Sequence, residues 1–184
     1  MKKKQCAYAA RLRDFLNRDL TLNNWTVQVR TGFQYAFPGV EISQAQFEEW
    51  ERRFTILKDQ LHEVEVLYPR GYYIIFDYEV KNCGRSDVIL LSNEQVLLFK
   101  FVNSDKPVAE DKEKLLKAYK EIKKKHYESR ELQVKSIMVL EQSENCLEED
   151  KDNNLFICSR RDLSSLLIRL VVTPLDKWLA SKYE

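Results

Sequence analysis

Gly84-Arg-Ser-Asp-Val-Ile-Leu-Leu-Ser-Asn-Glu-Gln-Val-Leu-Leu-Phe-Lys-Phe-Val102 is the stretch that decides how this chain folds. Two apolar runs, Arg85 to Leu91 and Val96 to Val102, flank Asn93-Glu94, and such a pair between strand-forming runs reads as a tight hairpin turn. If Asn93 and Glu94 make the turn, Ser92 faces Gln95 and positions summing to 187 lie opposite each other. Asp87 then stands across from Lys100. Side-chain alternation predicts Arg85, Asp87, Lys100 and Val102 on one face at the open end of the hairpin, with Ile89, Leu91, Val96 and Leu98 continuing that face. A charged pair inside otherwise apolar strands reads either as a cross-strand salt bridge at the sheet margin or as the remnant of a catalytic centre.

Working outward, Tyr72 to Val80 reads as a preceding strand, joined to the hairpin by the turn Lys81-Asn82-Cys83-Gly84. Tyr68-Pro69-Arg70-Gly71 marks a change of period, because apolar residues upstream recur at helical steps. Tyr8, Leu12, Phe15 and Leu16 form a first stripe, and Leu20 to Phe37 a second that ends at Pro38-Gly39. In the third, Ser43 stands three residues before Gln46 as a capping box, and Phe47, Trp50, Phe54, Leu57, Leu61 and Val64 follow. Downstream, Pro107 opens a helix to about Glu128 with Leu115, Leu116, Tyr119 and Ile122 inward. A strand Val134 to Leu140, an acidic loop through Asn153, a strand Leu155 to Cys158 and a helix from about Arg161 to Leu170 complete the core, and Pro174 starts a short helical tail. The expected fold class is α/β (α+β), a mixed sheet with flanking helices: a helical N-terminal region over 1–67, an α/β core over 68–170 and a helical tail over 171–184.

Composition narrows the chemistry. The chain has 184 residues with 30 Lys+Arg against 29 Asp+Glu, a formal net charge of +1, so the total gives no reason to expect nucleic acid. No run approaches the roughly 18 apolar residues of a membrane span, and no long apolar stretch follows the opening lysines; no membrane partner and a cytoplasmic location are expected. Cys6, Cys83, Cys146 and Cys158 fall at no metal-ligand spacing. The two histidines, His62 and His126, sit among charged helix-like residues, which argues against zinc, Cys-His and Ser-His chemistry. Four scattered glycines make no phosphate loop.

The 84–102 hairpin resembles the catalytic hairpin of the PD-(D/E)XK, or restriction-endonuclease-like, nucleases. More narrowly, the chain is similar to the N-terminal nuclease-like domain of a family of bacterial DNA/RNA helicases linked to mobile elements and phage defence. The likeness also draws on the Gln46 to Trp50 helix, the Ile75-Phe-Asp-Tyr-Glu-Val80 strand, the Ala118-Tyr119 helix reaching His126, and Trp178-Leu-Ala-Ser-Lys-Tyr183. The resemblance implies a restriction-endonuclease-like core in which an Asp and the Glu of a Glu-x-Lys triplet hold a divalent cation, with the Lys orienting the attacking water. Here the Asp is Asp87, but Lys100 stands in the place of the Glu and Val102 in that of the Lys. An ammonium opposite Asp87 supplies the positive charge a metal would bring and repels a second cation. The site therefore reads as degenerate, with no metal expected, and Asp87 as the ligand if there is one. A displaced acid is the alternative: Asp77 or Glu79 on the preceding strand, Asp105 after the third, or Glu48 and Glu49 on the third helix. Such a rescue would make the chain a Mg²⁺-dependent DNA nuclease with a rearranged site around Asp87.

Charge is uneven. Lys112 to Lys125 carries seven lysines against two glutamates, a net of +5, and Glu141 to Asp152 carries six acids against one lysine, a net of −5. Lys117, Lys120 and Lys124 fall opposite the apolar stripe of their helix, so they form either a solvated face or one that tracks phosphates. The expectation is a catalytically inactive nuclease-like domain, serving as a nucleic-acid-binding or protein-interaction module in phage defence, counter-defence or a mobile element. Its partner would be a protein or a helicase/ATPase module, and no cofactor is expected.

Overall fold

In the computed structural model, residues 5–67, 71–125 and 132–171 are described. Their strands are β1 (Tyr8–Arg11), β2 (Tyr73–Val80), β3 (Gly84–Leu91), β4 (Gln95–Val102), β5 (Gln133–Leu140), β6 (Leu147–Asp150) and β7 (Leu155–Ser159). All seven join one mixed sheet in the order β1-β2-β3-β4-β5-β7-β6. β1 to β4 are antiparallel neighbours, β4-β5 and β5-β7 are parallel, and β6 is antiparallel to β7. The chain reaches the parallel part through the helix α5 (Ala109–Lys125), because a parallel return needs a crossover rather than a tight turn.

Helices cover both faces. On one lie α1 (Leu12–Leu16), α2 (Leu22–Ala36), α3 (Gln44–Gln60), α4 (His62–Leu67) and α6 (residues 163–171). Trp25, Phe33, Trp50, Phe54 and Leu167 pack there against Phe76, Val88, Leu90, Phe99 and Phe101 of the sheet. On the other, Leu115, Ala118 and Ile122 of α5 pack against Val80, Ile89, Leu98 and Val102. The mixed α/β class expected from the sequence is therefore observed.

The hairpin register is as read: Val88 faces Phe99, Ile89 faces Leu98 and Leu91 faces Val96. α3 starts where expected, since the Ser43 hydroxyl accepts from the Gln46 N–H at 3.2 Å.

Three local expectations are corrected. Tyr8–Arg11 is not helical but an edge strand, pairing with Tyr73–Phe76. Its helix-like spacing arises because Tyr8 and the α1 residues Leu12, Phe15 and Leu16 enter one core from two different elements, with Tyr8 meeting Phe15, Trp25 and Phe76 edge-on. The acidic segment before Asn153 holds β6 and a 3₁₀ turn (Lys151–Asn153), so its exposed glutamates decorate an edge strand. Arg85 and Val102 lie on opposite faces: the Arg85 guanidinium sits 4.7 Å from the Phe33 ring of α2, whereas Val102 packs on the α5 side. His126 and the tail from Pro174, with its Trp178 motif, lie outside the described residues.

Candidate functional site

The β2-β3 ladder keeps one register along its length, Phe76 facing Val88 and Tyr78 facing Ser86, and breaks only where Asp77 and Asp87 meet. Two carboxylates directly opposite each other repel, and Asp77 leaves the pleat with φ at 48°, a left-handed conformation that Asp tolerates better than most residues. That single residue reverses the alternation. Phe76 points to the α2–α3 side, but Val80, an even number of residues later, points to α5. Asp77 itself turns towards α3, where the Trp50 indole N–H donates to its Oδ2.

Asp87, which lacks the left-handed backbone of Asp77, is the matching gap on β3. The β3-β4 ladder stops at Val88 and Phe99, and the Asp87 carboxylate then accepts the Phe101 backbone N–H at 2.9 Å in place of a strand carbonyl. Lys100 donates to Asp87 at 3.4 Å and lies 3.6 Å from Asp111 of α5. The pair predicted from the hairpin register is thus formed.

A further cation lies on the other side of the carboxylates. Arg53 of α3 is 3% exposed; its Nη2 sits 2.9 Å from Glu49 and 3.3 Å from Asp87, and its Nη1 4.0 Å from Asp77. Burial disfavours the guanidinium, but Asp87, Asp77, Glu49 and Glu141 together outweigh it and raise its pKa. For Asp77 the balance is reversed. Burial pushes its carboxyl up to about 6, and Asp87 adds to this, against the pull of Arg53 and the Trp50 hydrogen bond. The long Arg53 contact explains why burial prevails at Asp77. These groups border a cavity of about 310 Å³ that opens between α3, the start of β3 and α5, with Arg85 and Lys114 also on its wall.

Of the expected rescuing acids, Asp77 and Glu49 converge on this centre through Arg53. Glu79 is exposed and faces Arg85 in the ladder, Glu48 is exposed and accepts from Gln44, and Asp105 is exposed on the loop after β4; these three are not brought in. Lys117, Lys120 and Lys124 are exposed on α5, and Lys117 pairs with Glu113 at 2.8 Å. The four cysteines are thiols and not disulfides, and burial pushes the Cys158 thiol up to about 12, with Cys146 and Asp162 adding to it, which makes it a poor nucleophile.

Arg53, Trp50 and Asp111 are the site residues that sequence reasoning missed. The signal for Arg53 was present: it follows Trp50 by three residues and Glu49 by four, and so interrupts the buried seam of α3 with a charge. The arrangement does not fit the Mg²⁺ that the nuclease resemblance implies. A divalent ion among Glu49, Asp77 and Asp87 would collide with the Arg53 guanidinium and meet the Lys100 ammonium beyond it. Among the described residues no three acidic, Cys or His side chains stand at metal-holding distances. In comparisons with known proteins the chain matches no family model, no curated protein and no solved structure.

Proposed function

We propose that this chain is a catalytically silent nuclease-like domain acting as a binding module, with nucleic acid as its ligand, in a cytoplasmic phage-defence, counter-defence or mobile-element setting. The observation that carries the reading is the Arg53 guanidinium lodged among Glu49, Asp77 and Asp87, with Lys100 on the outer side of Asp87. Carboxylates opposed on neighbouring strands are the groups that metal-assisted phosphodiester hydrolysis needs, and here two side-chain cations hold them already. The order of α3, antiparallel meander, crossover helix α5 and parallel β5 supports a restriction-endonuclease-like core.

The exposed lysines of α5 favour a phosphate backbone as ligand, since lysines anchor nucleic acid without regard to sequence. Fluorescence anisotropy with labelled single- and double-stranded DNA tests this against the variant carrying Lys117→Glu, Lys120→Glu and Lys124→Glu. The expected result is salt-dependent binding that weakens at least about tenfold in the variant. Equal affinity of the two proteins removes the α5 face from the proposal. A protein or helicase/ATPase partner is the second reading, favoured by Val27 and Tyr35, which stand 66% and 72% exposed on the outer side of α2.

A further inference from the structure

We propose that the open end of the sheet face carrying α5 binds single-stranded nucleic acid, one base stacking on Tyr73 and its phosphate meeting Arg11. The inference rests on the nucleic-acid reading above and adds a second site, at the end of the sheet away from Arg53. The two faces of the sheet are covered unequally. Five helices pack on one, but among the described residues α5 is the only helix on the other, where it meets Val80, Ile89, Leu98 and Val102. Tyr73 and Ile75 of β2 point to the α5 side, because Tyr72, Ile74 and Phe76 fill the opposite core. α5 leaves their end of the face open: Tyr73 is 48% exposed, Ile75 and Leu91 are half-buried, and Ala9 is exposed.

A lone exposed tyrosine on a strand needs no explanation, but this one has a cation placed beside it. The register pairs Arg11 of β1 with Tyr73. Since the Leu12 N–H bonds to the Tyr72 carbonyl, the adjoining Arg11–Tyr73 pair is the non-hydrogen-bonded kind, whose side chains stand closest. Both border a recess of about 860 Å³, with Leu91, Asn93 and Leu132 also on its wall. Glu65 is the one acid among the described residues of that wall, and Arg13 acts on it while lying 3.6 Å from Asp14. Arg11, exposed, is the cation left for a phosphate. A ring beside a cation suits an unpaired strand of any sequence, because every base has a face to stack, whereas a duplex keeps its base faces covered. The lysines of α5 lie on the same side of the sheet, and the end of that helix reaches the recess, where Lys123 donates to the Leu132 carbonyl at 3.1 Å. A strand that tracks the exposed Lys120 and Lys124 is thereby led towards Tyr73.

The test is fluorescence anisotropy with a labelled oligothymidylate, a duplex of equal length, and thymidine monophosphate as competitor, on wild type, Tyr73→Leu, Tyr73→Trp and Arg11→Gln. Wild type is expected to prefer the single strand to the duplex. Tyr73→Leu is expected to weaken single-strand binding at least about tenfold, and Tyr73→Trp, which keeps a ring, to bind more tightly than Tyr73→Leu. Arg11→Gln is expected to lower the slope of log affinity against log salt by about 0.7, the share of one phosphate. Melting temperatures equal to wild type are expected at both exposed positions; if Tyr73→Leu melts lower, Tyr73→Trp and Arg11→Gln carry the test. Unchanged affinity in Tyr73→Leu or an unchanged slope in Arg11→Gln overturns the proposal, as does equal binding of the duplex or full competition by the mononucleotide at equal nucleotide concentration. Binding that is lost in the triple α5 lysine variant but unaltered in Tyr73→Leu refutes only this inference, whereas a wild type that holds no nucleic acid refutes the reading on which it rests as well.

Discussion

Protonation of Asp77 should leave a measurable mark on stability. Its carboxyl is buried against Trp50 and opposite Asp87, with Arg53 and Arg85 as the cations that act on it, and its pKa in the fold is about 6 against an ordinary 3.8. Between these values the folded protein binds more protons than the unfolded chain, so the stability due to this group is full below pH 4 and is lost as pH rises through 6. The displacement corresponds to about 3 kcal/mol at its limit, of which about 2–3 kcal/mol is expected to fall between pH 4 and 7. Asp77→Asn removes the titration while keeping a residue that tolerates the left-handed backbone and accepts from Trp50. Urea unfolding of both proteins in half-unit steps from pH 4 to 7.5 reads the difference directly. Wild type should lose stability relative to Asp77→Asn as pH rises, levelling off above about 7. A difference that is flat, or that grows in favour of wild type with pH, refutes the reasoning and means that Arg53 outweighs burial.

Two other substitutions follow from the same geometry. Asp87→Ala strands Arg53, Lys100 and the Phe101 N–H at once and should destabilise by about 3–5 kcal/mol, whereas Lys100→Ala, at a side chain 24% exposed whose partner keeps Arg53 and Phe101, should lie near 1 kcal/mol. Equal losses in chemical denaturation would show that Lys100 and not Arg53 is the main counter-charge. Ser43→Ala removes the α3 cap and should lower stability by about 1 kcal/mol, and an unchanged midpoint would mean that the helix entry is held by other contacts.

The hairpin was legible because its turn and its apolar alternation agree on one register, and a one-residue slip would have moved Ile89 and Leu98 off the face that α5 covers. The pairing of Asp87 with Lys100 followed directly. Beyond Val88 the same reasoning failed, since period-2 alternation assumes an unbroken pleat and the ladder is interrupted where the left-handed Asp77 meets Asp87; Arg85 lies on the face opposite to the one expected. β1 was hidden for another reason. A four-residue edge strand carries too little periodicity to be told from a helix whose next turn shares its core. Arg53 was overlooked because hydrophobic spacing marks the seam of α3 without saying what a charge within that seam faces, and its partners come from two strands distant in sequence.

The most direct test is DNA cleavage by the wild-type protein in millimolar Mn²⁺ and Mg²⁺, on supercoiled plasmid and single-stranded circles, with Asp87→Ala as control. Arg53 and Lys100 already hold the carboxylates, so the expected result is intact DNA at every metal concentration, identical to the control. Metal-dependent cutting that Asp87→Ala abolishes would contradict the account.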